Sequence, residues 1–187
     1  MESSNKTGVY EARFINPDSL IAELGIAKGM KVAHFGCSTG HFTFAAARAV
    51  GENGEVEAFD VLEQKIDLVR GQARIFGLNN VIARLANLEE RDGSKLAAES
   101  MDWVLMINIL YQNDKKSRII GEAKRILKPD GHILLVEWGA GDLLLGPEKN
   151  SRASREELIK IIRKHGLGIA KEIEAGQLHW GMILVKS

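Results

Sequence analysis

The sequence predicts an α/β fold, a sheet covered by helices on both faces. Three observations predict it. Short apolar runs alternate with helically spaced stripes along the chain. Residues 101–107 (MDWVLMI) are apolar toward both faces, as a buried parallel strand is. The first apolar run ends in a glycine loop where a helix begins. At 187 residues the chain has the size of one domain and can bury a core without covalent staples.

Residues 31–35 (KVAHF) read as the first strand. Behind the loop, Phe42, Ala45, Ala46 and Ala49 recur at i, i+3, i+4 and i+7, the stripe of a helix on a sheet, and 51–54 (GENG) breaks it. Residues 55–59 (EVEAF) form the second strand, ending at Asp60. Leu62, Ile66, Val69, Ala73 and Phe76 keep helical spacing until Gly77. Residues 81–85 and 101–107 are the third and fourth strands. Ile119, Ile120, Ala123, Ile126 and Leu127 make the next stripe, closed by a turn at 128–131 (KPDG), and 132–136 is the fifth strand. Ser154 and Glu157 read as a reciprocal capping box before a helix with Leu158, Ile161 and Ile162 on one face. Residues 166–173 and 178–185 are two closing strands joined by 174–177 (EAGQ). No repeat, low-complexity segment or linker divides this pattern. One domain over 1–187 is expected, with an N-terminal helical or lid segment (1–28) and a core (29–187).

Lys and Arg (25) cancel Asp and Glu (25), so no global field attracts nucleic acid or an anionic membrane. A single cysteine, Cys37, excludes an internal disulfide and a cysteine-cluster metal site. MESSNKTGVY lacks the basic and apolar regions of a signal peptide, and no apolar stretch approaches about 20 residues. A soluble, cytoplasmic protein is expected.

The glycine loop carries the chemistry. In an open α/β sheet, ligands bind beyond the carboxyl ends of the strands, where strand order reverses. There the loop brings backbone amides and a helix N-terminus to the ligand, and glycine removes side chains that would block the approach. Asp60, at the end of the second strand, stands where a carboxylate accepts both hydroxyls of a ribose. The spacing selects against phosphate. Gly36 and Gly40 are four apart, out of register with G-x-G-x-x-G, and His41-Phe42 replaces the Lys-Ser/Thr of a P-loop.

The loop resembles the first motif of class I S-adenosylmethionine-dependent methyltransferases, acidic-x-G-x-G-x-G. The likeness covers nearly the whole chain. Asp60 matches the family's ribose-binding acid, with Val61 beside it. Asn87 falls where an Asp contacts the adenine amino group, and Leu88 follows as a contact to the adenine face. Residues 100–111 (SMDWVLMINILY) are similar to the fourth-strand segment, and 126–138 (ILKPDGHILLVEW) to the fifth with its LKPGG-type turn. Residues 143–166 (LLLGPEKNSRASREELIKIIRKHG) and 166–187 (GLGIAKEIEAGQLHWGMILVKS) are similar to the substrate-side loop and helix and the closing hairpin of the ubiquinone/menaquinone-biosynthesis-like (type 11/25) branch. The resemblance implies a Rossmann-like three-layer sandwich, its seven-stranded sheet mostly parallel with the last strand inserted antiparallel. It implies S-adenosylmethionine as cofactor, S-adenosylhomocysteine as product, no metal, and in-line methyl transfer to a small-molecule acceptor. The implied cofactor contacts are His34, Gly36, Cys37, Ser38, Gly40, Asp60, Val61, Asn87, Leu88 and Asn108.

Asn108, Tyr111 and Glu137 are the catalytic candidates. Residues 108–111 (NILY) resemble the N/D-P-P-Y motif of methyltransferases acting on nucleobase or glutamine nitrogens, but both prolines are missing. A backbone contact to the cofactor's methionine end is the commoner role for Asn108. Glu137-Trp138 either faces the acceptor or ends its strand at the surface. His179 and Trp180 read as core or rim residues, His132 and His165 as surface positions, and 160–164 (KIIRK) as a solvated helix face. Tyr10, Arg13 and Phe14 are candidates for a lid. Cys37 reads as a small filler rather than a nucleophile.

Two departures from the family motif matter. His34 stands where the family has an acid, and a protonated imidazole there repels a sulfonium. Cofactor binding is therefore expected to weaken as pH falls through about 6.5, the unperturbed histidine value. Ser38 replaces the middle glycine, at a cost of about 1–2 kcal/mol if the position needs positive φ. His34→Asp and Ser38→Gly are each expected to tighten binding. The alternatives left open are a cofactor-binding pseudoenzyme or regulatory module with a degenerate first motif, an N-methyltransferase on a nucleobase or protein, and an NAD-dependent Rossmann enzyme. Monomer and homodimer are both compatible with the sequence.

Overall fold

The seven apolar runs all become strands, and they pair into one sheet. The computed structural model describes residues 15–139, 141 and 146–187. In chain order the strands are β1 (Lys31–Phe35), β2 (Glu55–Asp60), β3 (Val81–Leu85), β4 (Met101–Ile107), β5 (Leu127–Trp138), β6 (Leu167–Glu174) and β7 (His179–Lys186). The helices are α1 (Pro17–Glu23), α2 (His41–Val50), α3 (Glu63–Ile75), α4 (Lys116–Ile126) and α5 (Arg155–Lys164). The sheet order is β3-β2-β1-β4-β5-β7-β6. β1 to β5 are mutually parallel, and β7 pairs antiparallel with both β5 and β6. The last strand is thus inserted antiparallel, as the resemblance implied.

Side-chain alternation divides the core between two faces. Val32 and Val56 pack with Leu20, Ile21, Ala46 and Val50 of α1 and α2. Ala33, Phe35 and Phe59 point the other way, toward Ile119, Ile120 and Ala123 of α4 and Leu158 and Ile162 of α5. Ile66, Val69 and Ala73 of α3 close over Ala58 and Ala83. Of the stripe read for this helix, Leu62 and Phe76 stay exposed because both lie just outside it. Gly77, at φ +67°, ends it as expected.

Three local expectations are corrected. Residues 128–131 do not form a turn separate from the fifth strand; they lie within β5. The β4–β5 ladder jumps from Met101↔Leu127 to Trp103↔His132, so the KPDG segment is extra length accommodated as an irregularity in the pairing. Ser154 caps α5 by accepting from Glu157 N, but the carboxylate that meets its hydroxyl, at 2.9 Å, belongs to Glu156. His132 and His165 are half-buried rather than at the surface: His132 stacks on Trp103, and His165 hydrogen-bonds Ser117.

The chain leaves β1 toward β2 and β3, then returns to the other side of β1 as β4. Strand order therefore reverses between β1 and β4, and a crevice opens beyond their carboxyl ends.

Candidate cofactor and acceptor site

A cavity of about 710 Å³ occupies that crevice, within the usual range of roughly 300–1,000 Å³ for small-molecule sites. Ten sequence-expected residues line it: His34, Gly36, Cys37, Ser38, Asp60, Val61, Asn87, Leu88, Asn108 and Tyr111. Gly40 and Glu137 do not. Phe35 and Phe59, edge to face at 5.7 Å, support β1 and β2 beneath the cavity.

The loop after β1 is fixed by its own backbone. Cys37 N donates to Phe59 O at 2.8 Å, and Gly40 N to Cys37 O at 2.9 Å. Ser38 N donates to Asp60 Oδ2 at 3.0 Å, while Leu62 N donates to Asp60 Oδ1 at 3.1 Å. Asp60 thereby ties the loop to the exit of β2, and each oxygen keeps a second acceptor direction. Ser38 adopts φ +49°, so the position of the missing glycine does require positive φ. Gly40 meets a packing requirement. At φ +85°, a Cβ there would lie 2.5 Å from the Phe44 ring.

His34 corrects an expectation. Its side chain is buried at 3% exposure and Nδ1 hydrogen-bonds Thr43 Oγ1 at 2.8 Å. Burial pulls the imidazole down to about 4, so it is neutral at pH 6.5 and above and cannot impose a charge switch there. Burial, with the Asp60 charge adding, pushes the Cys37 thiol up to about 12, which leaves it an inert filler.

At the far end Leu88 is buried and Val61 exposed, both on the cavity wall. Asn87 combines two roles: its Oδ1 accepts from Glu89 N at 3.0 Å in an Asx turn, while the residue also lines the cavity.

At the opposite end the segment after β4 is held from several sides. Asn108, at φ +52°, donates its N–H to Val136 O at 2.9 Å. Leu110 N donates to Glu137 Oε1 at 2.6 Å, and Asn113 Nδ2 to Ile109 O at 2.7 Å. Glu137 thus does not end its strand at the surface; it is fully buried and anchors this segment through Leu110 N. Burial raises its carboxyl to about 7 against the lowering effect of the backbone amides of Leu110, Tyr111 and Ile109 and of Lys116. His179, read from the sequence as core or rim, lies with Nε2 3.0 Å from Asn108 Nδ2 and its ring 4.3 Å from that of Trp138. Nothing local marks this contact, since Asn108 and His179 are 71 residues apart. Tyr10, Arg13 and Phe14 lie outside the described residues. No group of three or more His, Cys, Asp or Glu placed to hold a metal occurs among the described residues. No helix among them is long and apolar enough to cross a membrane.

Residues 26–178 match the family model of a methyltransferase domain, and the chain belongs to that family. Two curated relatives match part of the chain. The chain is 30% identical over 120 residues to a demethylmenaquinone methyltransferase of Staphylococcus aureus, covering 63% of this chain and 47% of that protein. It is 30% identical over 115 residues to a ubiquinone/menaquinone biosynthesis C-methyltransferase of Haemophilus ducreyi, covering 61% and 43%. It spans about half the length of the curated relatives it matches. A crystal structure of an S-adenosylmethionine-dependent methyltransferase from Aquifex aeolicus shares the fold, with TM-score 0.84, 23% identity and coverage of 91% of this chain and 89% of that one.

Proposed function

We propose that the chain transfers a methyl group from S-adenosylmethionine to a small-molecule acceptor. The observation that carries this is the cavity at the β1–β4 reversal, with Asp60 fixed at one wall by two backbone donors. The residues suit the cofactor. The free acceptor directions of Asp60 suit ribose hydroxyls, Val61 and Leu88 offer an apolar slot for a base, and the Asn87 side chain adds a polar contact beside it. The loop at Gly36–Ser38 and Asn108 surround the methionine end. A neutral His34 leaves a sulfonium unopposed.

When bound, S-adenosylmethionine supplies an activated methyl group for in-line displacement, so orientation outweighs acid–base work. The protein contributes a wall that is already ordered: Glu137, Val136 and Asn113 fix the segment after β4 before any ligand enters. The relatives' names, a demethylmenaquinone methyltransferase and a ubiquinone/menaquinone biosynthesis C-methyltransferase, favour an acceptor of metabolite size over nucleic acid. A cytoplasmic location belongs to the same reading; the lone thiol, Cys37, is buried and forms no disulfide.

Radiolabelled methyl transfer over a metabolite panel tests this. Formation of S-adenosylhomocysteine that depends on an added small molecule is expected. Tight cofactor binding with no turnover on any acceptor would instead identify a cofactor-binding module.

A further inference from the structure

Four buried side-chain polar atoms lack a hydrogen-bond partner among the described residues: Asn108 Oδ1, Glu137 Oε2, Trp138 Nε1 and His179 Nδ1. Buried polar atoms are nearly always partnered, so four in one place require a reason. They sit on three neighbouring strands at one end of the cavity. Asn108 follows β4, Glu137 and Trp138 end β5, and His179 opens β7, paired with Trp138 across the ladder. Asn108 and Trp138 line the cavity itself.

The protons can be placed. Asn108 Nδ2, 3.0 Å from His179 Nε2, only donates, so Nε2 is the bare nitrogen. Burial keeps the ring neutral, which puts its proton on Nδ1. Two N–H donors, on Trp138 and His179, and two oxygens, the Asn108 carbonyl and Glu137 Oε2, are left unmet. Turning the Asn108 amide over exchanges roles but still leaves donors and an acceptor together. A cation offers nothing to the donors. An anion leaves the Asn108 carbonyl unmet and meets the buried Glu137 carboxyl close by. A neutral hydroxyl satisfies both kinds of group at once.

We propose that Asn108, Trp138 and His179 form an acceptor subsite that recognises a neutral hydroxyl group on the methyl acceptor and sets its position against the methyl donor. Glu137 stands behind it as the anchor of Leu110. All three residues are half-buried, and two of them, Asn108 and Trp138, reach the cavity wall. The proposal rests on the methyltransferase reading above and deepens it.

The test uses the full chain saturated with S-adenosylhomocysteine, which reports on the cofactor reading separately. 4-Methylphenol and toluene, alike in shape but differing in the hydroxyl, are titrated by ligand-observed NMR. 4-Methylphenol should bind at least about tenfold more tightly, the worth of one or two hydrogen bonds to otherwise unmet partners. Trp138→Phe keeps the ring and deletes its N–H; His179→Phe keeps the stacking and deletes both nitrogens. Each should remove most of the preference and leave S-adenosylhomocysteine affinity within about twofold. Equal binding of the two probes, no saturable binding of 4-methylphenol, or an unchanged preference in Trp138→Phe overturns the subsite. Equal losses of S-adenosylhomocysteine affinity in both variants overturn it too, by assigning the cluster to the cofactor. Failure of the parent to bind S-adenosylhomocysteine at all counts against the methyltransferase reading instead.

Discussion

His34 and Ser38 occupy the two positions where the loop departs from its family pattern, and the structure treats them differently. A histidine lowered from 6.5 to about 4 favours the folded state above pH 6.5, and that contribution is lost as pH falls toward 4. The loss is at most about 1.4 kcal/mol per pH unit. His34→Gln should therefore lose less stability than the parent between pH 6.5 and 4.5, read by urea unfolding. Cofactor affinity of the parent should show no His34 step near pH 6.5. Ser38→Gly relieves an αL residue, worth roughly 1–2 kcal/mol, but adds glycine's unfolded-state entropy, roughly 0.5–1 kcal/mol. A net stabilisation below about 1.5 kcal/mol is expected in the same unfolding experiment. The missing motif glycine raised positive φ at position 38 only as a condition, and Ser38 meets it at φ +49°. The neutrality of His34 was not legible, because residue type says nothing of a central strand covered on both faces.

Among the elements, the segment after β4 and the start of α2 both border the cavity. Glu137, raised from 4.5 to about 7, favours the folded state below pH 4.5, and this contribution is lost as pH rises through 7. Glu137→Gln keeps an oxygen for Leu110 N and removes the charge. Its stability relative to the parent should rise from pH 4.5 to 7.5, again by urea unfolding. A flat difference would mean that Glu137 titrates normally. Gly40→Ala combines φ +85° with a Cβ placed 2.5 Å from Phe44. A loss of at least about 2 kcal/mol in stability is expected, with α2 shifted away from the loop. Strand and helix identity was readable from the alternation of apolar runs and stripes. The irregular start of β5 was not, since Pro129-Asp130-Gly131 is a strong local turn signature that pairing with β4 overrides.

At the scale of the molecule, a 3-2-1-4-5-7-6 sheet places one crevice where β1 and β4 diverge. Asp60 and the glycine loop were legible as candidates because each sits at the end of a recognisable strand, and Asn87 through the family resemblance. His179 was not, because its partner Asn108 comes from a strand two places away in the sheet, across β5. The central claim, that this crevice holds S-adenosylmethionine, is tested most directly by calorimetric titration of the parent and Asp60→Ala with S-adenosylhomocysteine and NAD. The account predicts one-site binding of S-adenosylhomocysteine, weakened about tenfold or more in Asp60→Ala through lost charge-assisted hydrogen bonds, and no heat with NAD. Binding of NAD alone, or S-adenosylhomocysteine affinity indifferent to Asp60→Ala, would contradict it.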